Sequence, residues 1–303
     1  SAFGFSGFGG LGGFSPGLGG SFGTNLGNLN PANSLSQSIL SGRGDRVSNT
    51  TVAQVEYNSS ARSTFTVSGS YGLLRFRQPG SIESDQRVYT GGYNYMATRK
   101  DTVAITYGLA QMRFKGVSQG IDNHFFQMSY GRRVTGRLGL ELAGGPQITI
   151  FQNPTTASDR RTSWTASTSL HYRASRADLG LSYTHYTSAG SGLLLGAETD
   201  QFHGSVGWRF NRNWSGSLSP GYAHNSRLKQ NSASGVSVSY DSIYAGFGVQ
   251  RTLGRYMDIS FNYNLQDQRT SVSGPSTPIG TSTYIRHLFG FGFSWHTRPV
   301  TID

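Results

Sequence analysis

The chain has 303 residues, 35% of them hydrophobic, no cysteine, a mean hydropathy of −0.38 and a formal charge of +11. It has no run near the roughly 20 apolar residues that a membrane-crossing helix needs, and no disulfide or thiolate metal site is possible. The charge would suit nucleic acid, but the basic residues sit at strand ends and turns without a recognition helix or zinc finger beside them, so no nucleic-acid partner is expected.

In chain order, residues 1–33 form a glycine- and phenylalanine-rich segment in which Phe3, Phe5, Phe8, Leu11, Phe14, Leu18 and Phe22 recur between glycines. No basic stretch followed by an apolar core stands at Ser1, so an export signal is expected to have been removed already. Glycine makes ordering entropically costly, so an ordered state of this segment needs its apolar side chains captured. Phe3, Phe5, Phe8 and Phe14 are the candidate anchors. The hosts open to them are a lumen (as a plug), the rim or wall of the fold, a neighbouring barrel, or an envelope protein complex bound through residues 1–29. Chance packing of a flexible leader is the bland alternative.

Ser34–Ser41 is a short β-compatible stretch, followed by a polar turn over 42–49. From Thr50 to Trp295 the chain alternates apolar with small or polar residues, the mark of strands whose two faces meet different surroundings. Thirteen segments can be read this way. The second carries Phe65, Val67, Tyr71 and Leu73 on its greasy parity, the fourth Val103, Ile105, Tyr107 and Leu109, and the last Phe289, Phe291, Phe293 and Trp295. The other parity holds Gly, Ser, Thr and charges, and no segment supplies helices to cover the greasy side. A soluble lipocalin-like barrel would have to hide that face; a bilayer would not.

Six tight connections are predicted, at Ser59–Arg62, Thr98–Lys100, Val134–Arg137, Ala174–Arg176, Asn211–Asn213 and Leu253–Arg255. Longer polar excursions separate them, at 77–86, 115–122, 152–160, 188–200, 226–238 and 268–283. Tyr57, Tyr95, Tyr130, Tyr172, Trp208 and Trp214 fall near tight turns on the greasy parity, as an interfacial girdle would.

With alternating strands, unequal turn lengths and an aromatic final strand, residues 34–296 resemble the bacterial outer-membrane β-barrels as a class. Asn30-Pro31-Ala32 also resembles the motif after the N-terminal hatch of long-chain fatty-acid transporters. The class implies an all-β, antiparallel transmembrane barrel in the outer membrane, with short periplasmic turns, long outer loops and an even strand count. Fourteen strands are expected, with Ser34–Ser41 as the additional one, and twelve if two segments are misread. The tail, 297–303, departs from a terminal aromatic.

Inward parity is rich in small hydroxyls, which predicts a wet lumen. Its ionisable members Glu56, Glu141, His171, Arg173, Asp178, Arg209 and Asp258 gather toward the short turns as candidates for a constriction, or simply as solvated lumen charges. Arg62, Arg99, Lys100, Arg132, Arg133, Arg137, Arg176, Arg212, Arg251 and Arg255 form a basic periplasmic rim suited to anionic solutes, an anionic polymer, an acidic partner or lipid headgroups. His203 with Ser205 and His171 with Ser169 lie two residues apart on one strand face, too far for direct contact. No HExxH, GxSxG or metal-ligand spacing occurs, so neither an enzyme nor a cofactor is expected. The function implied is a passive channel for small polar solutes, anions in particular. The alternatives are a structural or export-associated barrel and a transporter of fatty-acid-type hydrophobic solutes.

Overall fold

Period-two alternation folds this chain into one antiparallel sheet. The computed structural model describes residues 46–77, 82–116, 119–152, 159–188, 194–228, 237–254, 257–274 and 277–295. The expected strand Ser34–Ser41, the 1–33 segment and the tail lie outside the described residues.

The strands are β1 (Arg46–Ser60), β2 (Ser63–Phe76), β3 (Ser84–Met96), β4 (Asp101–Phe114), β5 (Gly120–Arg133) and β6 (Leu138–Gln152). They continue as β7 (Asp159–Arg173), β8 (Ala177–Ser188), β9 (Ala197–Arg209), β10 (Trp214–Arg227), β11 (Ser237–Leu253), β12 (Met257–Gly274) and β13 (Thr277–Trp295). Each strand pairs with its sequence neighbours, giving the order β1 to β13 without a crossover. Five of the six tight turns fall where the sequence places them, and the sixth, which opens at the end of β11, runs outside the described residues.

The long excursions are shorter than expected because the strands run on into them. Over 268–283 the sequence predicts a loop, yet β12 extends to Gly274 and β13 begins at Thr277. Ser and Thr serve a loop or a ladder equally well, and here register pairs such as Ser271↔Thr281 hold them in the ladder.

Register aligns the greasy parity across strands: Val55 faces Val67, Phe65 faces Tyr93, and Tyr93 faces Ile105. These side chains are exposed, Val55 at 68% and Phe291 at 83%. The opposite parity is buried and polar, with Thr66, Gln147, Thr149, Thr199, Asn225 and Ser242 almost fully covered. Burying one large apolar side chain is worth roughly 1.5–3 kcal/mol, so about a dozen left in water would outweigh a typical net stability of about 5–15 kcal/mol. An apolar exterior around a polar interior is the arrangement of a sheet that crosses a bilayer.

The outward face ends in polar groups on both sides of its apolar run. From Asp101 to Gln111 on β4 is ten residue steps. At roughly 3.4 Å each and a tilt of about 40°, these span about 26 Å along the bilayer normal, close to the ~25 Å apolar band of such sheets. At the loop-side end of several runs an outward tyrosine hydroxyl is tied to a polar partner. Tyr107 meets His124 Nδ1 (2.8 Å), Tyr183 donates to Asp200 (2.7 Å), Tyr222 donates to Asp241 (2.6 Å), and Tyr263 meets His287 Nδ1 (2.9 Å). The same carboxylates take the neighbouring imidazoles, His185 with Asp200 and His224 with Asp241, both at 2.8 Å.

Among the described residues β1 pairs only with β2, and β13 only with β12. From Thr51 to Ser60 every side chain of β1 is exposed, on both parities. All neighbours being antiparallel, odd-numbered strands share one direction, so β1 and β13 run parallel to each other.

Candidate functional site

The interior has a polar middle and an apolar loop end. In the middle, Gln147 of β6 donates to Ser163 on β7 and to Thr187 on β8, both at 2.7 Å, and it accepts from Asn123 at 3.4 Å. Thr199 donates to Asn225 (2.8 Å), and Gln201 of β9 donates to the Tyr244 hydroxyl of β11 (2.9 Å). Two large aromatics also lie in this middle stretch, Phe125 and Tyr244. The Phe125 ring occupies the space opposite Gly108, where any Cβ would stand 2.0 Å from it.

The loop end departs from the mostly small, polar lumen that the sequence predicts. Val88, Ala110, Met112, Phe114, Ile121, Phe151 and Leu228 form one buried cluster, with Ile82 and Leu195 packed against it. Ile121 belongs to β5, whereas Gly196 precedes β9 and Leu228 follows β10, so their contact crosses the inside of the sheet. Gly196 makes it possible: its φ is +81°, and a Cβ there would lie 2.5 Å from Ile121 Cδ1 and 2.7 Å from Leu228 Cδ1. The Leu228 amide then donates to the Gly196 carbonyl (3.3 Å). The signal for this seal was the run Leu193-Leu194-Leu195 inside an excursion read as polar, together with Ala110, Met112 and Phe114 on the inward parity.

Of the seven constriction candidates the structure joins three. Arg173 Nε lies 3.1 Å from Asp178 Oδ1, its register partner, and His171 Nε2 lies 4.0 Å from the same oxygen. Glu141 adjoins this group through Ser169, its partner across β6–β7. The others stand apart. Asp258 accepts from Thr252 (2.8 Å), Glu56 accepts from Gln54 (2.6 Å) on the exposed strand β1, and Arg209 is exposed at the end of β9.

At the short-turn mouth Arg62, Arg99, Lys100, Arg132, Arg133, Arg137, Arg176, Arg212 and Arg251 are all exposed, while Arg255 lies outside the described residues. Two are engaged. Arg132 Nε stands 3.7 Å from Asp101, and Arg251 lies over the Trp214 ring at 5.1 Å. Asp101, the first residue of β4, accepts from Thr98 (2.6 Å) and Tyr130 (2.8 Å).

Among the described residues no group of His, Asp or Glu is arranged to hold a metal ion, and no helix is long and apolar enough to cross a membrane. His203 stacks on Tyr244 at 6.1 Å between ring centroids.

No family model and no curated protein matches the chain. Among solved structures it is similar to the siderophore receptor PirA from Acinetobacter baumannii, at 9% identity over 82% of this chain and 57% of that one, with a TM-score of 0.41. It is also similar to the ferric citrate transporter FecA in its unliganded form, at 8% identity, 84% and 55% coverage and a TM-score of 0.46. For BamA from Haemophilus ducreyi lacking POTRA domains 1–3 the values are 11%, 83% and 70%, and 0.38. The chain thus spans little more than half the length of PirA or FecA. Likenesses this remote carry no argument about what this chain does.

Proposed function

We propose that the chain is a bacterial outer-membrane β-barrel that passes small polar solutes, with a preference for anions. The carrying observation is the inverted amphipathicity: exposed aromatic and aliphatic side chains outside, buried Thr, Ser, Asn and Gln inside. Short turns face the periplasm and longer loops the exterior, as in barrels of this class. The exposed arginines at the turn mouth raise the local concentration of anions. The interior is a path for solutes and not a catalytic site.

One further strand, antiparallel to both, would pair with the edges that the described residues leave free on the parallel-running β1 and β13 and bring the count to fourteen. Ser34–Ser41 is the segment we assign to it. The apolar cluster across the loop end keeps resting conductance low until it parts. The free edges support a second reading, a structural or export-associated barrel that receives a partner's strand in that gap.

Single-channel recording in planar bilayers tests the proposal. Ile121→Ser combined with Leu228→Ser should raise both open probability and unit conductance over the parent chain. Equal silence from parent and variant would favour the structural reading, and a parent that stays folded and monomeric in buffer without detergent would end both.

A further inference from the structure

We propose that an outward cleft between β3 and β4, at the loop end, binds the phosphate of a lipid headgroup; this rests on the outer-membrane reading above. The cleft has a volume of about 250 Å³ and is lined by Asp85, Arg87, Gln111 and Arg113. Register sets Asp85 opposite Arg113 and Arg87 opposite Gln111, so the four form a compact square. All four share the outward parity of Tyr89 and Leu109, the apolar pair one step further into the band. The cleft therefore opens where hydrocarbon gives way to headgroups, just beyond the Tyr107–His124 pair.

Its guanidinium groups are held in different ways. Arg113 is fixed: Nη1 donates to Asp122 (2.7 Å) and to the carbonyls of Met112 (3.1 Å) and Ile121 (3.3 Å). It lies flat over Gly120, where a Cβ would come within 3.1–3.3 Å of it. Arg75 on β2 repeats this grip, donating to Asp85 (2.5 Å) and to the carbonyls of Leu74 and Ser84. Asp85 is thereby neutralised, Asp122 is taken by Arg113 and Gln152, and Glu83 is shared by Arg75 and Lys115.

Four cations, Arg75, Arg87, Arg113 and Lys115, thus face three carboxylates, Glu83, Asp85 and Asp122. Arg87 is the remainder. It is exposed, rests 5.8 Å from the centre of the Tyr71 ring, and has no carboxylate partner among the described residues. A phosphate between Arg87 and Arg113 would take charge-assisted bonds from both and one from the Gln111 amide. Its acyl chains would run down over Tyr89 and Leu109. A free phosphate offers the same headgroup chemistry without that apolar contact.

The test uses the full chain inserted in phosphatidylcholine vesicles, with insertion verified by protease protection. Labelled phosphatidic acid is titrated in, and binding is followed by energy transfer from the protein's tryptophans. Arg87→Gln should weaken binding by about tenfold or more. Arg87→Lys should recover only part of the loss, because it keeps the charge but not the fork. Inorganic phosphate should not displace the lipid at equal concentration. Equal binding by the parent and Arg87→Gln, or displacement by inorganic phosphate as effective as by phosphatidic acid, overturns the lipid site while leaving the inserted barrel intact. A chain that fails to insert overturns both readings.

Discussion

Phe291 shows most directly what a single position must satisfy. It is 83% exposed, and its ring meets Phe261 on the neighbouring strand at 5.1 Å. Phe291→Arg should cost roughly 2–4 kcal/mol if that point lies near the bilayer midplane, measured by denaturant titration in lipid vesicles; a loss under about 1 kcal/mol would place the position at an interface instead. Such outward residues were legible because alternation alone separates two faces. The inner seal was not. Met112, Phe114 and Ile121 alternate just as the outer residues do, and what covers them is Leu228 and the turn at Gly196, far away in sequence. Period-two reading identifies a face but not its cover. The charged candidates divide on similar grounds. Arg173 and Asp178 flank one tight turn and had to meet, whereas Glu56 and Asp258 lie on strands that share no pairing.

At the scale of the element, turns and strands differ in how plainly they can be read. The tight turns are marked by glycine, asparagine and clustered charge, each with a local reason to reverse the chain. The far ends of β12 and β13 carry Ser, Thr and Gly, which serve ladder and loop alike, so the hairpin's reach needed its register. The last two residues of β5, Arg132 and Arg133, are both exposed at the short-turn mouth. Reversing both to glutamate should shift the reversal potential in a salt gradient toward cation preference while leaving unit conductance of similar size. An unchanged reversal potential would mean that solute does not pass that rim. Phe3, Phe5, Phe8 and Phe14 belong to an element outside the described residues, and their assignment as anchors rests on composition alone.

For the whole molecule, strand order and the sense of the two faces follow from the alternation and the turn spacing, while closure does not. Thirteen described strands leave β1 and β13 running the same way with an edge free on each. Exposed edges template association. Deleting residues 34–41 should therefore convert a monodisperse monomer in detergent into dimers or larger species, read by light scattering and by migration on unheated gels. A deletion variant that stays monomeric with the parent's heat-modifiable migration would remove Ser34–Ser41 from the wall.

Sequence-neighbour pairing throughout the sheet also dictates a history for the molecule. Each hairpin closes a short stretch of chain, so the wall can grow one strand at a time with little loss of entropy per step. The seam is different: Arg46 and Trp295 are separated by almost the whole sheet. By the logarithmic cost of loop closure, joining those ends directly in the unfolded chain would take about 3 kcal/mol more than closing a ten-residue hairpin, so the seam has to wait for the wall between them. Whatever strand fills that gap, the seam should be the last joint made during assembly and the first to part under heat.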